Sequence, residues 1–361
     1  MSQSIMRICF LSNHIFPFHV GGSEMVIKNI SERLASLGHQ VYVYGWDVRN
    51  DMVENGVSIK TLNIDKFGSV LRNNDVIIVY SDSFLQLSQL LRANETHNKK
   101  IVIFPVGFSG ANGSSSLCKA IFNKENNIHF VCHDSIYIDA NMLDQKDIKY
   151  DVIPNGVSES EFLFDYNRPV PGSVLKILCV ANAFPKKGHP ELFKICDMIS
   201  RKQDIELNIF CHTPAWDVGK RLQAQLVKHS ETRPYKCKMH IDKPRKEVVD
   251  SFLKNDLFLF CSLKEVAPLC ILESCAAGMP WVSFNVGNVK NINGGLVNHI
   301  DATDQNGYII PSQDIFEEQV ELVKKAVDKD MYSKLSKDGV SFAKERTWEK
   351  IALQYVSTIK N

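Results

Sequence analysis

Short apolar runs alternate with longer stretches of helical periodicity along almost the whole chain, and this alternation limits what it can fold into. "RICFLS" (7–12), "QVYVYG" (40–45), "DVIIVY" (75–80), "KIVIF" (100–104) and "IHFVC" (128–132) read as strands. Between the first two lies "SEMVIKNISERLASLG", with Val26, Ile30, Leu34 and Leu37 at helical spacing. Ser23 is its expected N-cap and Gly38 the residue that ends it. Strands that alternate with helices build parallel sheets covered by helices. The pattern pauses at "FLFDYNRPVPGSV" (162–174), where two prolines and a glycine predict a linker, and then restarts. "LKILCVA" (175–181), a helix from about His189, "IELNIFC" (205–211), a helix within 219–229, "LFLFC" (257–261), "PWVSF" (280–284) and "GYII" (307–310) form the second series. The expectation is an α/β chain of two doubly wound, Rossmann-like domains facing each other across a cleft. The 361 residues suit two domains of roughly 150–200 residues each.

Composition narrows the function classes. Hydrophobic residues make up 44% and charged residues 23%, as in a globular protein. A net charge of +1 gives no global attraction to nucleic acid or to a membrane surface. The first residues do not form a secretory signal, and no run of about 18 apolar residues predicts a membrane span. The ten cysteines are scattered without a C-x-x-C pair and fall mostly in apolar runs, such as Cys9, Cys132, Cys179, Cys211 and Cys261. They read as reduced core thiols of a cytoplasmic protein.

Ligands on doubly wound sheets bind beyond the carboxyl ends of the strands, so the loops there hold the candidate residues. After the first strand, "NHIFPFHVGGSE" ends in Gly21–Gly22 at a helix start, where bare backbone N–H groups can meet an anion; a plain turn is the simpler reading. In the second series, "CVANAFPKKGHPELF" puts Lys186 and Lys187 where a cation could meet a diphosphate; a solvated lysine pair is the simpler reading. The segment "EVAPLCILESCAAGMP" (265–280) sets Glu265 in a loop before a helix starting near Pro268. Its second carboxylate, Glu273, lies among small and apolar residues. That carboxylate needs a hydrogen-bonding partner or water, and a pair of vicinal hydroxyls on a ribose would serve. His14, His19, His129 and His133 lack a third metal ligand at useful spacing, so no metal is expected. "GFSGA" (107–111) misses the nucleophile elbow at Ala111. The absence of G-x-G-x-x-G disfavours a nicotinamide dehydrogenase.

Taken in order, these segments resemble the family 4 retaining glycosyltransferases of the GT-B fold (glycosyl transferases group 1), over nearly the whole length. The first strand, loop and helix, "VIPNGV" (152–157), "KKGHPELF", "EVAPLCILESCAAGMPWVSFNVGN", "NGYIIP" and the Trp348 helix are similar to family elements in the family's order. The resemblance implies an acceptor-side domain 1–165, a nucleotide-sugar domain 166–345, and a helix 346–361 that packs back on the first. It implies that Gly21 and Gly22 shape a loop near the donor diphosphate. Lys187 would stabilise the phosphate leaving group and Glu265 would contact the sugar; these two are the expected catalytic pair. Backbone around Ala267, Pro268, Leu269 and Cys270 would bind sugar or diphosphate, and Glu273 the ribose. No cofactor or metal is expected. The partners implied are a UDP-sugar or a GDP-sugar and a glycan or glycolipid acceptor, with no nucleic acid and with peripheral contact at the inner face of a membrane compatible with the pattern.

The chain departs from the family at three places. Asn182 replaces an arginine five residues before Lys187, with Lys186 as a substitute charge. Pro105, Val106 and Gly107 stand where many members have a histidine. Val266-Ala267-Pro268 replaces Gly-Phe-Gly, and Pro268 offers no N–H. The alternative these departures carry is a catalytically weak GT-B protein that binds a nucleotide sugar or a protein partner. The aromatic residues Phe16, Phe18 and Phe108 read as acceptor contacts or as core packing.

Overall fold

The apolar runs do form parallel strands, because strands covered on both faces by helices need no polar face. The structure is a computed structural model and describes residues 4–80, 84–105, 127–135, 138–162, 164, 168–213, 217–300, 303–304 and 307–360. The chain divides into two compact units, 1–155 with 348–361, and 156–347.

The first unit holds an eight-stranded sheet. Its strands are β1 (Arg7–Ser12), β2 (Gln40–Gly45), β3 (Met52–Glu54), β4 (Val57–Thr61), β5 (Val76–Tyr80), β6 (Lys100–Phe104), β7 (Ile128–Cys132) and β8 (Tyr150–Val152). The order is β3-β4-β2-β1-β5-β6-β7-β8, parallel except for the β3–β4 pair. That hairpin was not expected. Its signal is Asn55–Gly56, both at positive φ, the dipeptide that favours a two-residue hairpin turn. Among the described helices, α1 (Gly22–Ser36), α2 (Phe67–Asn73), α3 (Phe84–Asn94) and α4 (Ile138–Asp144) belong to this unit. The N-cap of α1 is Gly21 rather than Ser23, and no side chain caps it; Gly38 ends the helix at φ +90 as expected.

The second unit holds a six-stranded sheet, all parallel: β9 (Leu175–Val180), β10 (Ile205–Cys211), β11 (Lys236–Ile241), β12 (Leu257–Phe260), β13 (Trp281–Ser283) and β14 (Gly295–Val297). The order β11-β10-β9-β12-β13-β14 reverses direction between β9 and β12, which makes the carboxyl ends of these two strands the switch point. Helices α5 (His189–Ser200), α6 (Asp217–Glu231), α7 (Arg245–Lys254), α8 (Leu269–Ala276), α9 (Gln313–Ala326) and α10 (Lys329–Lys344) accompany it. "GYII" is not a strand. It makes one isolated bridge, Thr303 with Ile309, and Ile309 N–H donates to the Leu263 carbonyl at 2.9 Å. That bond to a loop, with the bonds between Tyr308 and Asp304, pairs the segment without extending the sheet.

The final helix α11 (Trp348–Lys360) belongs to the first unit. Tyr355 stacks on Phe104 at 5.2 Å and its hydroxyl shares a hydrogen bond with that of Tyr80. Lys100 Nζ donates to the Thr358 carbonyl at 2.8 Å, tying the helix end to β6. The division between the units falls before 162–174, so that stretch is not a linker between them. Val157 N–H donates to the Arg346 carbonyl at 2.8 Å, and Phe162 is buried in the core of the second unit. Burial of Phe162 draws the segment into the unit before the prolines are reached.

The described cysteines are free thiols, most of them buried. Among the described residues no helix is long and apolar enough to cross a membrane.

Candidate active site

Two loops emerge at the switch point of the second sheet. One follows β9 and runs through Asn182 to Gly188; the other follows β12 and runs from Cys261 to Pro268. Gly188 explains why they meet. It sits at φ +66, and an added Cβ would lie 1.7 Å from the Cys261 carbonyl oxygen. The Lys186 carbonyl accepts the Leu263 N–H at 2.7 Å and faces Ser262 Oγ at 3.1 Å. On the far side Gly287, at φ +54, has the Val266 carbonyl 2.4 Å from where its Cβ would be, and Asn288 N–H donates to that carbonyl at 3.0 Å. The Glu265 loop is thus clamped between two glycines.

The clamp sets Lys187 Nζ 2.5 Å from Glu265 Oε1. Glu265 is 12% exposed and Lys187 23%, so the pair is largely withdrawn from water. Ser262 Oγ lies 2.7 Å from the same carboxylate oxygen; its one proton can serve either Glu265 or the Lys186 carbonyl. Burial works against the Lys187 charge, but the Glu265 carboxylate outweighs it and raises the lysine pKa above its usual value. The lysine is cationic at neutral pH. Removing either partner would strand the other charge, at a cost of order 2 kcal/mol or more.

Helix α8 begins beside this pair. Its N-cap is Pro268, with no side-chain cap, so the first N–H groups of the helix are left for another acceptor. Leu269, Cys270 and Glu273 are partly exposed, while Ile271, Leu272, Ser274, Cys275 and Ala276 are buried. Glu273 therefore lies on the one open face of an otherwise buried helix. Its partner is Arg245, at the start of α7, whose Nη2 is 2.6 Å from Glu273 Oε1. Arg245 also holds Glu161. Burial opposes the Arg245 charge; the Glu273 and Glu161 carboxylates outweigh it and raise the arginine pKa further.

The remaining expected residues have distinct places. Asn182 Oδ1 accepts the His212 N–H at 3.2 Å, joining the exits of β9 and β10. Lys186 is exposed, with its ammonium 6.0 Å over the Phe184 ring, and enters the clamp through its carbonyl rather than its charge. Ala267 lies between Val266 and the cap of α8. Gly21 and Gly22 belong to the first unit. A Cβ at Gly22 would meet nothing within 4 Å, and one at Gly21 would meet the end of the Glu24 side chain. In that unit His14 Nδ1 is 3.4 Å from Asp47 Oδ2. His129 Nε2 is 3.0 Å from Asp151, and His133 Nδ1 is 3.1 Å from the Ile153 carbonyl. Among the described residues no group of three metal-ligating side chains assembles. Pro105 ends β6, whereas Val106, Gly107, Phe108 and the "GFSGA" segment lie outside the described residues. Phe16 carries the Lys28 ammonium 5.4 Å over its ring and Phe18 is exposed.

Sequence reasoning missed Gly188, Ser262, Gly287, Arg245 and Glu161. The glycines had a signal only in hindsight, since their roles depend on backbone from another loop. Nothing near Arg245 in sequence points to a carboxylate two segments away.

Residues 167–345 match the model of the family described as glycosyl transferases group 1. No curated protein matches the chain in sequence. Solved structures do match it in backbone. Sucrose-phosphate synthase from Thermosynechococcus elongatus gives a TM-score of 0.76 at 15% identity, over 98% of both chains. The Anabaena protein HepE in complex with UDP-glucose gives 0.71 at 13%, over 98% of this chain and 99% of that one. A glycosyltransferase from Rickettsia africae gives 0.69 at 14%, over 99% and 98%. At these identities the likeness establishes the fold, which is GT-B.

Proposed function

We propose, from the match of residues 167–345 to the glycosyl transferases group 1, that the chain moves a sugar from a nucleotide-diphosphate sugar to a hydroxyl acceptor with retention at the anomeric carbon. The observation that carries this reading is the Lys187–Glu265 pair, clamped at the switch point beside the uncapped start of α8. Breaking a sugar–phosphate bond builds negative charge on the diphosphate. Preset N–H groups and a buried ammonium oppose that charge without reorganising. In this reading Lys187 meets the leaving phosphate and Glu265 the sugar hydroxyls. Backbone N–H groups of Leu269 and Cys270 bind the diphosphate, and Glu273 takes the ribose. Pro268 contributes shape instead of an N–H. The positive charge comes from the chain itself, so the reaction as proposed asks for no metal. A UDP-sugar is the favoured donor, because HepE, of the same fold, is described with UDP-glucose; a GDP-sugar is the other option. The acceptor class is a glycan or glycolipid.

A second reading is favoured by Asn182, whose side chain brings no charge to the loop. In it the protein binds a nucleotide sugar or a partner and turns over weakly.

Release of nucleoside diphosphate from a panel of nucleotide sugars, with and without glycan acceptors, separates the two. The expected result is turnover that Lys187→Ala and Glu265→Ala abolish, that EDTA leaves unchanged, and whose product keeps the donor's anomeric configuration by NMR. Nucleotide binding without turnover on any donor would favour the second reading.

A further inference from the structure

Arg245 stands apart from every motif in the sequence, yet it pairs with two carboxylates of the second unit. Its Nε–H donates to Glu161 Oε1 at 3.0 Å and one Nη2–H to Glu161 Oε2 at 2.7 Å, a two-pronged fork on one carboxylate. Nη2 has a second N–H, and Glu273 Oε1 lies 2.6 Å from it. Each of these hydrogens has its own acceptor, so the three bonds coexist.

The consequence falls on Glu273. A glutamate has three side-chain torsions, and a diol is gripped well only when the carboxylate is held in one orientation. Glu273 is 12% exposed, and among the described residues only its Oε1 has a hydrogen-bond partner. We infer that Arg245 is a positioning residue for Glu273. It anchors the carboxylate by Oε1 and leaves Oε2 to accept from the ribose hydroxyls of the donor. Glu161 holds the guanidinium in place by the fork. The inference rests on the proposed role of Glu273 as the ribose group, and it adds what orients that group. A lysine at 245 could supply the charge but not the fork, because an ammonium is a point charge without fixed geometry.

Binding of UDP, GDP and ADP, each beside its 2′,3′-dideoxy counterpart, tests it by titration calorimetry. The wild-type protein is expected to prefer the ribose form of its nucleotide by about tenfold or more, the scale of hydrogen bonds to a charged group. Glu273→Gln and Arg245→Met are each expected to shrink that preference to within about twofold, and the double variant to shrink it no further. Glu161→Gln and Arg245→Lys should lie between these limits. A purely structural arginine would weaken both forms equally and keep the preference. That result overturns the inference and leaves the donor reading standing. A wild-type protein that binds none of the three nucleotides overturns both. If Arg245→Met does not fold, an unchanged preference in Glu161→Gln and Arg245→Lys is decisive against the inference.

Discussion

The first strand of each sheet ends in a loop that leads into a helix, and the two loops are held differently. After β9, the loop is locked to the neighbouring loop beyond β12 by Gly188 against Cys261, by the Lys186 carbonyl and by the Lys187–Glu265 pair. After β1, the loop holds itself with His19 N–H on the Ile15 carbonyl at 3.0 Å, and its bonds to the exit of β2 are longer. Ile15 N–H reaches Asp47 Oδ2 at 3.4 Å, and Trp46 N–H reaches the Asn13 carbonyl at 3.3 Å. Gly21 and Gly22 have no backbone pressed against them. The difference matches what each loop is proposed to do. Stabilising charge in a transition state requires groups already in place, so the loop with the lysine is the rigid one. In the loop of the first unit, Gly22 has open space where a Cβ would go.

The sharpest way to break this comparison is Gly188→Ala. The new methyl would meet a backbone oxygen, at a φ that L residues rarely adopt. Neither atom can swing away as a side chain would. A loss of about 4 kcal/mol or more in urea unfolding is expected, together with loss of nucleotide binding. Near-wild-type stability would show that the two loops are not locked.

Next in size is Lys187→Ala. A fall in turnover of about a hundredfold or more is expected if the ammonium meets the leaving phosphate. The acceptor KM should hardly move. A fall of less than about threefold would remove Lys187 from the chemistry.

Acid probes both units at once, since each buries a histidine whose ring is pushed far down; His39 of the first unit is buried and lowered as well. Burial pushes His133 in the first unit and His189 in the second from 6.5 down to about 4, against the pull of a backbone hydrogen bond. A folded-state pKa below the unfolded one means that the fold favours the neutral ring. Stability is therefore full above pH 6.5 and falls as the pH drops from 6.5 toward 4. The slope is about 1.4 kcal/mol per pH unit for each histidine. His189 starts the helix after the Lys187 loop, and the nearby lysine charge adds to its depression. Nucleotide binding should weaken over the same range, and His189→Asn should flatten that limb while leaving the His133 limb in place. Unfolding curves at pH 7, 6 and 5 that coincide would contradict the assignment.

What was legible in the sequence follows from how local each signal is. The central strands were readable because parallel strands buried on both faces are continuous apolar runs, as in Ile8 to Leu11 or Leu257 to Phe260. β11 was missed because it is an edge strand without an apolar run, its Cys237, Met239 and Ile241 separated by Lys238 and His240. Strands β8 and β14 are three residues long, too short for a period to show. In the site, Lys187 and Glu265 stood out through resemblance, and the structure brings them together. Their clamp was not legible, because Gly188 and Gly287 matter only through the carbonyls of Cys261 and Val266, which arrive from other parts of the chain. Glu273 raised the question of what a carboxylate does among apolar residues. Its answer, Arg245, is set by the packing of α7 against the start of the unit and leaves no trace in the local pattern.

The smallest expected effect on stability belongs to Gly22→Ala, and it is the most telling for the other side of the comparison. Gly22 is the first residue of α1, is exposed, and has space where a Cβ would go. Alanine there removes unfolded-state freedom, so stability should stay level or rise by a few tenths of a kcal/mol. The family resemblance nevertheless gives Gly22 a part in turnover through a bare backbone. The expected outcome is a protein that unfolds like the wild type yet turns over donor more slowly. A variant with both stability and turnover unchanged would mean that Gly22 only starts a helix. In that case the case for a donor site would stand on the second unit alone, where Gly188→Ala and Lys187→Ala probe it directly.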